Sequence, residues 1–195
     1  MTIQATLCFI FKDNEVLLLK KSKGLFGQGK WNAPGGKILS NEEADACAAR
    51  EVLEETGLTV DNLEQVGLLY FYKNGQHKSP DWTVHAFVAR QFEGIPMDGR
   101  EGRLKWFNVD ALPFDEMWED DQYWCRLALE GTRLEGWFYF SGDFEKLIDH
   151  RIEVKPPPKS NQSLKLGCSR ISQALRPKAD PRTWQEKIEA RRVRA

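Results

Sequence analysis

Three glutamates, Glu51, Glu54 and Glu55, crowd one stretch of helix-forming residues, with Gly35-Gly36 upstream and Gly57 just downstream. No other feature constrains the chain as much. At about 100° per residue the three carboxylates fall within about 80° of one another, on one helix face. Like charges three and four residues apart destabilise a bare helix, and acidic side chains late in a helix oppose its macrodipole. Something has to offset both costs. Hard oxygen donors gathered in this way suit Mg²⁺ or Mn²⁺, whose charge converts repulsion into coordination. The plainer alternative is a solvated acidic face balanced by Arg50 and surface lysines.

The surroundings of that helix read as a mixture of short strands and one or two helices. Thr2 to Phe11 and Val16 to Leu19 form a hairpin about Asp13-Asn14. A glycine-rich loop, Gly24 to Gly29, leads to Trp31-Asn32-Ala33-Pro34-Gly35-Gly36, where a sharp turn with close backbone approach is expected. Ser40 or Asn41 offers a cap for a helix starting near Glu42, with Glu43 in its acidic first turn and Gly57 ending it before Thr59 and Val60. Gln65 to Lys73 and Trp82 to Phe92 read as strands joined through Asn74-Gly75, and Arg103 to Asn108 as another. Phe114 to Glu130 holds a helical stretch, and Gly136 to Phe140 and Leu147 to Val154 close the series as strands. The expected class is α+β or α/β.

Composition limits the options further. The 195 residues, 41% hydrophobic, allow one domain with a real core and an appendage. No apolar run approaches the roughly 18–20 residues of a membrane helix, and Met1 to Phe11 has no basic leader or cleavage site, so a cytoplasmic location is expected. Cys8, Cys47, Cys125 and Cys168 are scattered and read as reduced core residues. The net charge of −1 hides an asymmetry: residues 1–154 hold 17 basic and 26 acidic side chains, residues 155–195 hold 11 and 3. An acidic body repels bare polyanions, so phosphates would need a divalent cation between them and the protein. Pro156-Pro157-Pro158 marks an extended connector, which puts a domain at 1–154 and a basic extension at 155–195. A short helix is expected after Asp180-Pro181, with Trp184 and Ile188 as a thin apolar stripe.

The spacing Gly36, Glu42, Arg50-Glu51-Val52, Glu54-Glu55, Gly57-Leu58 matches every position of the Nudix box, and the chain resembles the Nudix hydrolases. That resemblance implies an α/β/α sandwich with a mixed sheet and a metal-binding loop-helix-loop. It implies Mg²⁺ or Mn²⁺ held by Glu51, Glu54, Glu55 and the Gly36 carbonyl, with Arg50 orienting the glutamates and Glu42 bracing the loop. Water must then attack a phosphorus whose charge repels nucleophiles, which calls for charge neutralisation and a carboxylate base. Glu54, Glu55 and Glu101 are the candidates for that base; Glu101 enters because related enzymes carry a glutamate on the equivalent loop that reaches the metal. Its plain reading is a loop charge.

Trp31-Asn32 and Trp118-Glu119-Asp120-Asp121-Gln122-Tyr123-Trp124 extend the resemblance to the MutT-homologue subgroup, over about Thr6 to Val154. Thr6, Phe26, Asn32, Phe71, Trp118, Asp120 and Asp121 would by that resemblance line a base pocket. The residues suit it: Asn32 offers an amide, two adjacent carboxyls sharing a proton would read both donors and acceptors, and Trp118 and Phe26 offer stacking faces. Asp120 and Asp121 also suit the first turn of a helix, Trp118 and its neighbours could be core aromatics, and Asn32 a turn residue. Ala33-Pro34, Lys73 and Trp82 depart from the subgroup's pattern, all around the pocket rather than the metal. The implied activity is hydrolysis of oxidised purine nucleoside triphosphates, such as 8-oxo-dGTP, to the monophosphate and pyrophosphate. Other nucleoside di- or triphosphates, or ADP-ribose-type substrates, are the alternative, as is a binding module whose basic tail engages nucleic acid or a partner. Charge complementarity favours instead a tail folded back on the acidic body. A monomer acting on a small nucleotide, away from membranes, is expected.

Overall fold

Successive residues of a strand face opposite ways, and in the first strand both ways are apolar. In β1 (Ile3–Lys12), Phe9 and Phe11 pack into one core cluster while Cys8 and Ile10 pack into another. A strand buried on both faces belongs inside a layered fold. The structure, a computed structural model, describes residues 2–74 and 78–156.

The chain continues through β2 (Glu15–Lys21), β3 (Trp31–Asn32), α1 (Ala44–Thr56), β4 (Thr59–Asp61), β5 (Glu64–Tyr72) and β6 (Trp82–Ala89). It then forms β7 (Gln91–Glu93), β8 (Gly102–Asn108), α2 (Asp121–Leu129), β9 (Leu134–Ser141) and β10 (Lys146–Val154). The main sheet runs β10-β9-β5-β6-β1-β2-β3, with β8 also paired to β2, while β4 and β7 make a small second sheet. The β1–β6 and β5–β9 pairs are parallel and the others antiparallel, so the sheet is mixed. Ala48 and Val52 of α1 close the cluster of Cys8 and Ile10; Trp124, Cys125 and Ala128 of α2 close that of Phe9 and Phe11. One helix therefore covers each face of the sheet, in the α/β/α arrangement expected.

One pairing positions the site. β1 and β2 pair only from Ile10 to Lys12, which leaves the first half of β1 open on that side. The segment after β3 fills the opening: Thr6 donates its N–H to the Gly36 carbonyl at 2.8 Å, Cys8 to that of Pro34 at 2.8 Å, and Ile38 to that of Gln4 at 3.0 Å. β2 meanwhile pairs with β8 along its length, ending at Lys21 opposite Gly102.

Boundaries differ from the sequence reading in a few places. The first helix starts at Ala44, not near Glu42, and neither Ser40 nor Asn41 caps it; Asn41 sits in a left-handed turn at φ 63° and Glu42 is engaged elsewhere. Trp82 to Phe92 is two strands broken at Arg90, and Phe114 to Glu116 is a 3-10 turn ahead of α2. Cys8, Cys47 and Cys125 are buried free thiols, as expected of core residues. Among the described residues no helix is long and apolar enough to cross a membrane. Gly75, Cys168 and the helix expected after Asp180-Pro181 lie outside the described residues.

Candidate active site

Two glycines let the loop after β3 pass between β1 and α1. A Cβ on Gly35 would lie 2.1 Å from the Thr6 carbonyl oxygen, and one on Gly36 would lie 2.4 Å from the Glu51 carboxyl carbon. At Gly35 fixed backbone leaves no room for a side chain, whereas at Gly36 one would displace the Glu51 carboxylate. The Gly36 carbonyl and the Glu51 carboxylate are thereby held side by side.

Arg50 organises the acidic helix. Its Nε and Nη2 donate to the two carboxylate oxygens of Glu42 at 2.7 and 2.9 Å, a bidentate clamp that ties α1 to the preceding loop. Its Nη1 donates to Glu51 at 2.7 Å and to Glu54 at 3.3 Å, and Nη2 also reaches the Lys37 carbonyl at 3.3 Å. Glu42 in turn accepts the Leu39 N–H at 2.9 Å, and Arg50 together with that bond pulls its carboxyl down to about 2. The like-charge cost on this face is thus met in part within the protein. Arg50 balancing Glu51 and Glu54 agrees with the plainer expectation of an acidic face neutralised by basic side chains.

Glu55 behaves differently. It is buried, accepts the Gly35 N–H at 2.8 Å and touches the Lys21 ammonium, which also donates to Glu101 at 2.8 Å. Burial pushes the Glu55 carboxyl up to about 7, with Lys21 opposing the rise. Lys21, by contrast, holds the Glu101 carboxyl below its ordinary value. Burial alone would lower the Lys21 ammonium, but Glu55 and Glu101 outweigh it and keep it raised. The β2–β8 pairing brings this trio together, since Glu101 precedes β8 and its carbonyl accepts the Ser22 N–H at 2.7 Å.

Among the described residues no three acidic, histidine or cysteine side chains converge as a ready-made ion site. Glu51 and Glu54 turn towards Arg50, and Glu55 turns towards Lys21. The donor set still fits a hard divalent cation: Glu51, Glu54, Glu55, Glu101 and the Gly36 carbonyl are all oxygens. The Lys21 ammonium marks a place between Glu55 and Glu101 where positive charge is already held.

The other end of the site is apolar with buried acids. A cavity of about 590 Å³ joins the two ends, and Thr6, Phe26, Asn32, Gly36, Phe71, Trp118, Asp120 and Asp121 line it together with Glu51, Glu55 and Glu101. Of the residues expected from the sequence, only Arg50 and Glu54 lie off its walls. The Thr6 hydroxyl turns to the Cys47 sulfur at 3.5 Å, behind the loop. Asn32 Oδ1 accepts the Ala33 N–H at 2.8 Å, which leaves its NH₂ as the group to offer a ligand. Asp120 accepts the Trp124 indole N–H at 3.0 Å; Asp121 accepts the Trp118 N–H at 3.0 Å and the Cys125 thiol at 3.5 Å. Burial raises both carboxyls, Asp120 to about 6 and Asp121 well above the usual range, where the neighbouring Asp120 charge adds to the effect. Burial and the neighbouring charge both disfavour full ionisation of the pair.

Lys21 lines the cavity although no expectation from the sequence fell on it; the strand alternation that puts Leu17 in the cluster against α1 places Lys21 on the same side. Lys30 and Phe144, which also line the cavity, carried no signal.

The comparisons agree with this geometry. The NUDIX domain model matches residues 1–127. The chain is 40% identical over 148 residues to an oxidized purine nucleoside triphosphate hydrolase from Danio rerio, covering 76% of this chain and 92% of that one. It is 41% identical over 147 residues to the Mus musculus protein of the same name, covering 75% and 92%. The crystal structure of a MutT protein from Bacillus halodurans superposes with a TM-score of 0.68 at 30% identity, covering 77% of this chain and 97% of that one. A domain-wide match in sequence, a matching solved fold and the glutamate helix packed on its double-glycine loop lead to one conclusion: the chain belongs to the Nudix family.

Proposed function

We propose that this protein hydrolyses oxidised purine nucleoside triphosphates, of which 8-oxo-dGTP is the type, to the monophosphate and pyrophosphate, and so cleanses the nucleotide pool. The observation that carries the reading is one cavity with carboxylates at one end and, at the other, two buried aspartates, Asp120 and Asp121. A triphosphate needs the first end and an altered purine edge needs the second. Residues 1–154 are the hydrolase domain in this proposal, and residues 155–195 a basic extension.

A divalent cation, Mg²⁺ or Mn²⁺, held by Glu51, Glu54, Glu55, Glu101 and the Gly36 carbonyl, would neutralise phosphate oxygens and acidify water. The chain's own groups do the rest. Arg50 donates to both Glu51 and Glu54 and so fixes the two carboxylates relative to each other. The Lys21 ammonium sits where it can stabilise charge that builds on a departing phosphate. The proton of the incoming water goes to a carboxylate, with Glu54, Glu55 and Glu101 the candidates and Glu55 and Glu101 the two that line the cavity. At the far end, Asn32 and whichever aspartate holds the shared proton donate to the base, while the ionised partner accepts.

Steady-state kinetics over a nucleotide panel tests the reading. kcat/KM for 8-oxo-dGTP is expected to exceed that for dGTP by at least ~10-fold, since unpaired buried polar groups penalise the wrong edge. Faster turnover of ADP-ribose or dinucleoside polyphosphates would overturn it.

A further inference from the structure

Phe144 stands in the turn between β9 and β10 with a φ of 64°, in the left-handed region. A side chain makes that conformation costly, whereas a glycine such as Gly142, two positions earlier at φ 51°, adopts it freely. The ring is nevertheless buried, and it lines the cavity beside the aromatic residues of its apolar end. It meets the Phe26 ring edge-on, at 78° and 6.0 Å between centroids, and the Phe140 ring at 72° and 5.6 Å. Phe26 is 59% exposed and Phe140 2%, so the Phe144 ring spans from the rim of the cavity to its floor.

The turn that presents this ring is held on both sides. Asn74, just beyond β5, donates its N–H to the Gly142 carbonyl at 3.0 Å. Lys73 pairs with Asp143 at 3.3 Å; both side chains are exposed, so the pair adds little energy, but it joins the same two segments. On the other side Leu147 donates its N–H to the Glu119 carboxylate at 2.7 Å, and Glu119 lies between Trp118 and Asp120 in the chain. Within the turn, Glu145 donates its N–H to the Ser141 carbonyl at 3.1 Å. A bulky residue persists in a strained conformation only where its surroundings over-determine it. Here the bonds fix the backbone, and the two edge-on contacts fix the ring.

We propose that Phe144 limits the size of the base this cavity accepts: its ring closes the apolar end between Phe26 and Phe140, and a base carrying an additional fused ring is rejected by overlap with it. The inference rests on the reading that a purine nucleotide is the substrate. A close-packed wall that cannot shift rejects bulk by steric overlap, a penalty against the wrong ligand rather than an attraction for the right one. Asp120 and Asp121 offer hydrogen-bonding groups at this end of the cavity; Phe144 offers only its bulk. It makes no contact with the carboxylates Glu51, Glu55 and Glu101, so its effect falls on the base and not on the phosphates.

Kinetics of the full-length protein with Mg²⁺ tests this. The readout is the ratio of kcat/KM for etheno-dATP, whose base carries a third ring, to that for 8-oxo-dGTP. Phe144→Gly removes the ring and suits the left-handed backbone; it is expected to raise the ratio by at least ~10-fold, the scale on which pocket volume discriminates substrates, while the inhibition constant of inorganic tripolyphosphate stays the same. Phe144→Leu keeps a smaller apolar side chain in the same place and is expected to raise the ratio by about 3-fold. An unchanged ratio in Phe144→Gly, with both nucleotides losing the same factor, would make the ring a packing residue and overturn the proposal. A tripolyphosphate constant that moves as far as kcat/KM would overturn it too. Should melting show that Phe144→Gly does not fold, Phe144→Leu decides: a ratio equal to the parent's overturns the size limit. If the unmodified protein turns over no purine triphosphate, the function reading fails instead, and the two failures are distinguishable.

Discussion

Glu54 and Glu55 are neighbours in sequence with opposite surroundings: one side chain is 59% exposed, the other 2%. Glu54→Gln keeps the shape and the Arg50 contact but removes the negative charge. Turnover is expected to fall by at least ~10²-fold with the melting temperature little changed, the usual scale for losing a metal-binding or general-base group. Undiminished turnover would move that role to Glu55 or Glu101. Asp120→Asn alters only the base-reading end. It is expected to change the ratio of kcat/KM between 8-oxo-dGTP and other purine triphosphates by ~10-fold or more while dulling all substrates less; a uniform loss across bases would make Asp120 structural, as its bond to the Trp124 indole allows.

At the scale of elements, α2 carries a pH-dependent cost at its start. In the unfolded chain both aspartates release protons near pH ~4. In the folded protein burial raises both, Asp120 to about 6 and Asp121 further. Between those values the folded state binds more protons than the unfolded one, so stability falls as pH rises through that window. Asp121→Asn removes one carboxyl from the balance. The variant is expected to be more stable than the parent at pH 8, with the gain shrinking towards pH 4; thermal melts across that range check it. A loss of stability at pH 8 would mean Asp121 is held as an anion. The loop-helix unit around α1 works by a different device, the Arg50 clamp on Glu42. Arg50→Ala should therefore cost about 1–3 kcal/mol, because two partly buried carboxylates lose their charged donor, and unfolding in urea would show it.

For the molecule as a whole, the acidic body and basic extension pose separate questions. The sheet closes with β10 at Val154, and every residue placed in the site precedes it. A chain ended after Pro156 is expected to keep kcat/KM for 8-oxo-dGTP within about 2-fold, because it retains every residue placed in the site. A larger loss would bring the extension into the reaction.

The glutamate helix, its glycine loop and the hairpin of the first two strands were legible from residue order, because local spacing and turn chemistry decide them. The longer strands were located to within a few residues, whereas the stretch expected from Phe114 to Glu130 holds α2 only from Asp121 to Leu129 and the short β3, β4 and β7 were not expected. Lys21 escaped notice because its partners, Glu55 and Glu101, lie 34 and 80 positions away and meet it only through the β2–β8 pairing. The stack of Phe26 on Trp82 and Trp118 likewise joins three segments that only the folded sheet brings together. Residue order determines the chemistry available to each element. Which charges and rings come into contact is decided by long-range strand pairing, since the free energy that holds them together is gained only when the core closes.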